Sequence, residues 1–218
     1  MSQRTDLLAA IARMAADLAP DRIVRFAIDG VDGAGKTSFA NELADVLGNF
    51  GRPVVRASVD GFHNPRAVRY ARGRQSPIGF FEDSYNYTLL KQYLLDPLSP
   101  GGSGQYCAAA FDHVTDSAVP FVERTALPNS ILLLDGVFLH RPELRAYWDA
   151  SIFLRVDFAM SAARSADRDG TSPDPSAESN RRYVEGQRIY LSKCAPEHCA
   201  TMIIDNNDLA APVVAVKR

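Results

Sequence analysis

Cysteine is scarce in this sequence, tryptophan occurs once, and neither sign of charge is in clear excess. Cys107, Cys194 and Cys199 are too few and too irregularly spaced for a disulfide framework. Cys194 and Cys199 flank His198 without the close pair spacing of a zinc site, and no second pair exists. They read as reduced, incidental thiols of a cytoplasmic protein. A net charge of -2 excludes a strongly basic nucleic-acid binder, so no nucleic-acid partner is expected. No apolar run is long enough to span a bilayer, and no membrane partner is expected. Near the N-terminus, Leu7, Leu8, Ile11, Met14 and Leu18 form an amphipathic pattern broken by Asp6, Arg13 and Asp17. That pattern lacks the unbroken apolar core of a signal peptide. Internal repeats are absent too.

What is present fits one domain, 1–218, or one domain with a small lid, since 218 residues suffice to bury a full core. The chain is organised around Phe26–Ala40. Gly30, Gly35, Lys36 and Thr37 fit G-x-x-x-x-G-K-[ST], the phosphate-binding loop of nucleoside triphosphatases. A mostly apolar, β-branched stretch, Ile23–Ile28, leads into it as a buried strand. Phe39, Leu43, Val46 and Leu47 follow at helical spacing until Gly48. Strand, glycine loop and helix start together place successive backbone N–H groups and a positive helix end around phosphate oxygens. Gly30, Asp32, Gly33, Ala34, Gly35, Lys36, Thr37 and Ser38 are therefore expected to hold a nucleoside triphosphate. Lys36 can reach the β- and γ-phosphates, and Thr37 can offer its hydroxyl to Mg²⁺.

Around this loop, strands alternate with helices. A helix is predicted over Thr5–Leu18 and a second strand over Val54–Val59, ending on Asp60-Gly-Phe-His63. Asn64–Phe81 reads as a long loop carrying Arg66, Arg69, Arg72 and Arg74. A helix is expected to begin near Asp83 or Ser84 and to halt before Pro97. Gln105–Val122 suggests short strands or an irregular excursion. Ile131–Leu134 is a fully apolar strand ending on Asp135-Gly136, whose carboxylate can hold Mg²⁺ directly or through water. Then come a short helix over Pro142–Tyr147, a strand over Ile152–Val156 and a helix over Met160–Asp167. A breaker-rich segment, a helix over Ala177–Leu191 and a last strand over Met202–Asp205 complete the pattern. Such alternation predicts an α/β protein, a three-layer α/β/α arrangement around a mostly parallel sheet.

Several separated pieces together resemble one family, the uridine kinase and phosphoribulokinase-like P-loop kinases. They are Ile28-Asp-Gly-x-x-Gly-x-Gly-Lys-Thr37, Asp60-Gly-Phe-His63, Phe80-Phe-Glu-Asp83, Phe111-Asp112, Leu134-Asp-Gly136 and the arginines Arg164 and Arg168. Nearly the whole chain after the first helix is spanned. The resemblance implies a P-loop NTPase fold with a small helical lid, roughly 160–182, and an acceptor-binding excursion, roughly 61–125. It implies a kinase using ATP and Mg²⁺ to phosphorylate a hydroxyl of a small metabolite, a nucleoside first among the candidates. Asp60 matches the family's catalytic aspartate beside the metal, and Asp83 an acidic residue that binds sugar hydroxyls. Arg164 and Arg168 match lid arginines that neutralise the transferring phosphoryl group. The nucleoside kinases carry Tyr-Asp-Phe with a nearby base-reading His; here Phe111-Asp112-His113 stands there, with Asp116 where that His is expected.

Taken together, Lys36, Asp60, Arg164 and Arg168 are the expected catalytic groups. Thr37, Asp60 and Asp135 are expected at the metal. Asp60, His63, Arg66, Asp83, Phe111 and His113 are expected on the acceptor. Each has a plainer alternative: Asp60 could cap a turn, Asp135 could make a strand-end turn, and Arg164 and Arg168 could pair with Asp167 and Asp169. The four loop arginines could form a solvated face or bind a phosphate already on the acceptor. A sugar, a sugar phosphate or a pantothenate-like alcohol is the alternative acceptor. A nucleotide-hydrolysing switch or metallochaperone is the alternative class, although neither a guanine-reading Asn-Lys-x-Asp element nor a metal-binding cysteine pair is present. A homo-oligomer is compatible with the sequence.

Overall fold

The computed structural model describes residues 3–218. Helix α1 (Gln3–Asp17) turns Leu8, Ile11, Ala12 and Ala15 inward, the stripe of an amphipathic surface helix. β1 (Val24–Gly30) follows, buried throughout, and the phosphate loop joins it to α2 (Lys36–Gly48). β2 (Val54–Ser58) then runs out to a 3-10 turn at Val59–Phe62.

The middle of the chain holds more helix than its sequence suggests. α3 (Arg66–Arg69) and α4 (Pro77–Asp83) occupy the predicted long loop, and α5 (Tyr87–Leu90) runs into a π-helical turn at Lys91–Leu95. The helix expected to start at Asp83 or Ser84 is thus two helices meeting there. Local caps set the boundaries: Ser76 Oγ accepts from Gly79 N at 3.1 Å, and Asn86 Oδ1 accepts from Leu89 N at 3.0 Å. The next four strands are β3 (Gln105–Tyr106), β4 (Phe111–Asp112), β5 (Ser117–Ala118) and β6 (Arg124–Thr125). They pair as two antiparallel ribbons, β3 with β6 and β4 with β5.

β7 (Ile131–Gly136) and β8 (Ala150–Arg155) return to the main sheet, with only a 3-10 turn at Arg145–Tyr147 where a short helix was expected. α6 (Phe158–Asp169), α7 (Arg181–Cys194), α8 (Pro196–Cys199), β9 (Met202–Asp205) and β10 (Val213–Lys217) complete the chain. The last strand is an addition to the sequence reading. It pairs antiparallel with β9 at the sheet edge, and its mostly exposed residues lack the buried signature of a central strand.

The main sheet has the order β10-β9-β8-β1-β7-β2, parallel except for β10. β1 and β7 lie inside it and are covered on both faces, which explains their continuous apolar runs. Successive side chains alternate between the two cores. Phe26, Ile28 and Leu133 face α1 and α2 with Phe39, Leu43 and Leu47. Ala27, Leu132 and Leu134 face the opposite core, with Phe80, Leu94, Phe138 and Tyr190. The three-layer arrangement follows from this alternation. No described helix is long and apolar enough to cross a membrane.

Candidate functional site

The carboxyl ends of β1, β2 and β7 lie side by side, where open parallel sheets gather their ligands. The register sets Asp135 level with Ile28 on one side and Ser58 on the other. Gly30 ends β1, Asp60 follows β2, and Asp135 is the penultimate residue of β7.

Gly33 and Gly35 have φ of 66° and 82°, the left-handed region that glycine enters without strain. A Cβ at Gly33 would lie 2.5 Å from the Ser161 carbonyl oxygen, so α6 also demands glycine there. Gly35 precedes α2, and no side chain caps that helix start, leaving its first N–H groups facing the loop. Lys36 Nζ donates to Val31 O at 2.7 Å, bridging the loop. Thr37 Oγ1 donates to Asp135 Oδ2 at 2.7 Å, and Arg56 Nη2 donates to Asp135 Oδ1 at 2.8 Å. Asp135 is buried, so both of its oxygens are fixed in direction.

A triphosphate with Mg²⁺ fits these residues: the left-handed glycines form the cradle, Lys36 lies across it, and Thr37 and Asp135 converge beside it. Among the described residues no group of three His, Cys, Asp or Glu side chains is set to hold a metal. A Mg²⁺ ion carried by phosphates needs only one or two protein groups.

Beyond the loop lies a cleft of about 380 Å³. Asp32, Asp60, His63, His113 and Arg168 line it, together with Arg69, Tyr70, Phe80, Tyr85, Arg182, Tyr183 and Gln187. Asp60 Oδ1 accepts from the Tyr85 hydroxyl at 3.0 Å, while Asp60 O meets His63 Nδ1 at 2.9 Å. Burial, reinforced by the Asp60 charge, pushes the Tyr85 phenol well above its ordinary pKa and keeps it a donor. The His63 ring stacks on His113 at 4.6 Å and sits 4.5 Å from Tyr85. Burial lowers the His63 pKa, against the opposing pull of Asp60.

Other sequence-singled residues lie elsewhere. Asp83 accepts from Arg72 Nε at 2.8 Å and is not part of the cleft wall; nor is Phe111, which belongs to β4. Arg66 is tied to the 112–116 turn, donating to Val114 O at 3.0 Å and, through its N–H, to Asp116 Oδ1 at 2.8 Å. Arg164 and Arg168 diverge. Arg164 donates to Gly33 O, Asn206 O and Asn207 O at 3.3, 3.0 and 2.7 Å, bracing the phosphate loop against the segment after β9. Arg168 lines the cleft and pairs with Asp169 at 2.6 Å, a hydrogen bond that raises its pKa. Of the four loop arginines only Arg69 is buried and lines the cleft, donating to Asn64 O at 2.8 Å and pairing with Asp116 at 3.3 Å; Arg66, Arg72 and Arg74 are exposed, with Arg74 lying over Tyr70.

Two buried links escape the sequence reading. Asp29, fully buried, accepts from Gly30 N at 2.7 Å, from His140 N at 3.2 Å and from the Tyr190 hydroxyl, and its Oδ2 lies 2.7 Å from His140 Nδ1. Asn206, also fully buried, donates to Ala34 O at 2.8 Å. Together with Gln187, which bonds Asp32, they fasten the phosphate loop to α7 and to the end of β9. Only folding brings these distant positions together: Asp29 falls inside the Ile28–Thr37 motif, but nothing local marks its partners His140 and Tyr190 or the Asn206 contact.

A mostly parallel sheet, a glycine loop opening a helix, and a buried aspartate on the neighbouring strand define an α/β protein of the P-loop kinase type. Residues 26–189 match the phosphoribulokinase / uridine kinase family. The chain belongs to that family, a family of phosphotransferases acting on hydroxyl groups. A search of curated proteins returned no significant match. Among solved structures, a protein described as a possible uridine kinase from Bacillus stearothermophilus shares the fold. Its TM-score is 0.70 at 22% identity, over 91% of this chain and 97% of that one. A protein described as a fructose transport system kinase from a Silicibacter species gives 0.68 at 25% identity, over 85% and 94%. The phosphoribulokinase of Rhodobacter spheroides gives 0.56 at 15% identity, over 86% and 71%.

Proposed function

We propose that the protein transfers the γ-phosphate of ATP to a hydroxyl of a small metabolite, with a nucleoside as the acceptor. The observation that carries this reading is the Asp60 carboxylate, which stands in a ring-lined cleft that opens onto the phosphate loop. Tyr85 holds Asp60 Oδ1, and Oδ2 accepts no hydrogen bond from any described residue, so that oxygen is free to take the proton of an acceptor hydroxyl. His63, Tyr70, Phe80, Tyr85, His113 and Tyr183 supply ring faces suited to a base or a sugar ring.

In this reading Lys36 and the loop amides bind the triphosphate, with Thr37 and Asp135 beside the metal. The bound Mg²⁺ supplies charge neutralisation on the phosphates. Arg168, which lines the cleft, neutralises charge on the transferring phosphoryl group, and Arg164 acts at a distance by holding the loop. The stretch 160–182 overhangs the cleft through Ser161, Ser165, Arg168, Thr171 and Asn180 and serves as the lid that excludes water. A sugar acceptor is the second reading, favoured by the likeness to the Silicibacter protein.

Asp60→Asn tests the assignment. Transfer is expected to fall by about 100-fold or more, the scale of a lost general base, with AMP-PNP affinity retained. Equal loss of nucleotide affinity and rate would make Asp60 a purely structural residue.

A further inference from the structure

Asp32 sits within the triphosphate loop, yet its contacts turn it away from a triphosphate. Its N–H donates to Gln187 Oε1 at 2.5 Å, and its carbonyl accepts from Ser161 Oγ at 2.6 Å. Both backbone groups are therefore engaged by α7 and α6, leaving no free N–H at this position for a phosphate oxygen. The Asp32 carboxylate lines the same cleft as Asp60. Gln187 Nε2 donates to its Oδ2 at 3.3 Å, while Oδ1 accepts no hydrogen bond from any described residue. That oxygen is open to the cleft, where a ligand hydroxyl can take the place of water.

Two of the three cleft arginines are tied to the protein itself. Arg182 is buried and donates to the carbonyl oxygens of Arg69, Gly73, Arg74 and Ser76. Arg69, also buried, is held by Asn64 O and Asp116, whereas Arg168 pairs only with the adjacent, exposed Asp169. An acceptor bearing its own phosphate or carboxylate would meet Asp32 and Asp60, and the one cleft guanidinium not tied to the protein interior, Arg168, is the one the kinase reading assigns to the transferring phosphoryl group.

We propose that Asp32 is an acceptor-recognition residue. Its free carboxylate oxygen takes a hydrogen bond from a second hydroxyl of the acceptor while Asp60 takes the reacting one. The cleft then selects an uncharged polyhydroxylated molecule and rejects anionic alcohols. This inference rests on the kinase reading, names the acceptor class within it, and moves Asp32 from the nucleotide side of the site to the acceptor side. Burial raises the pKa of Asp32, with Asp60 adding to the effect against the opposing pull of Lys36.

The test compares wild type with Asp32→Asn, which keeps the volume and the Gln187 contact. Acceptors are uridine, cytidine, fructose, ribose 5-phosphate, glycerate and pantothenate, and AMP-PNP binding is measured separately by calorimetry. Wild type is expected to use an uncharged member of the panel. The variant is expected to raise its KM for that acceptor by about tenfold or more, the scale of a lost buried hydrogen bond in a specificity pocket, with AMP-PNP affinity within about twofold. An unchanged acceptor KM, or an equal loss of AMP-PNP affinity, overturns the inference and leaves the kinase reading intact. So does turnover confined to ribose 5-phosphate, glycerate or pantothenate. Absence of any acceptor-dependent turnover by wild type brings down the kinase reading and this inference with it. Should Asp32→Asn melt early, Asp32→Ser is measured in its place against the same outcomes.

Discussion

The Thr37 hydroxyl donates to Asp135 Oδ2 at 2.7 Å, joining the residue after the loop lysine to the end of β7. Arg56 holds the other oxygen, so the carboxylate is aimed rather than free to rotate. In the proposed site, a carboxylate fixed in this way would act on the metal through direction as much as charge. Asp135→Asn is expected to weaken Mn²⁺ binding in the presence of AMP-PNP by about tenfold or more, read by electron paramagnetic resonance. Unchanged Mn²⁺ affinity would place Asp135 outside the metal site.

Tyr190 is expected to matter for stability rather than for chemistry. Its hydroxyl serves Asp29, which has no access to water and sits immediately before the first glycine of the phosphate loop. Tyr190→Phe removes one donor from a buried carboxylate. The expected cost is about 1–3 kcal/mol, measured by urea denaturation. A loss below about 0.5 kcal/mol, the range of an inconsequential surface change, would show that the remaining donors satisfy Asp29 unaided.

His63 gives the protein a stability term that depends on pH. Its folded pKa lies below the unfolded value of about 6.5, chiefly through burial between Tyr85 and His113. Between the two values the unfolded chain binds more protons. Stability from this group is therefore full above about pH 6.5 and is lost as pH falls toward the folded value. Asp60, His113 and Arg69 are the charged or titratable neighbours that set the folded value. In His63→Gln, Tm is expected to fall less steeply than in wild type between about pH 7 and 5, by differential scanning calorimetry. Parallel curves would remove His63 as a source of that dependence.

The half of the site that holds phosphate was legible because it is local. Gly30 to Thr37 lie in one loop, and the apolar run before Asp135 announces a central strand by itself. The proposed acceptor half was not, because it is assembled across the chain. Asp32 meets Gln187 across 155 positions, and Arg69 meets Asp116 across 47. Charge alone could not show that Arg182 would be buried against four carbonyls, or that Asp83 would face Arg72 instead of the cleft. The 64–95 region was misdivided for a related reason. The Ser76 and Asn86 caps are single side-chain hydrogen bonds, and in sequence they compete with an apolar periodicity that runs through both helices. β10 eluded the sequence because an exposed edge strand has no buried face to declare it.

The central claim is transfer to a hydroxyl rather than hydrolysis, and ³¹P nuclear magnetic resonance of the reaction mixture tests it directly. Wild-type protein is incubated with ATP, Mg²⁺ and the acceptor panel, and the products are followed against ADP formation. A new phosphomonoester resonance is expected to grow in step with ADP for at least one acceptor. ADP accompanied only by inorganic phosphate, whatever alcohol is present, would contradict it.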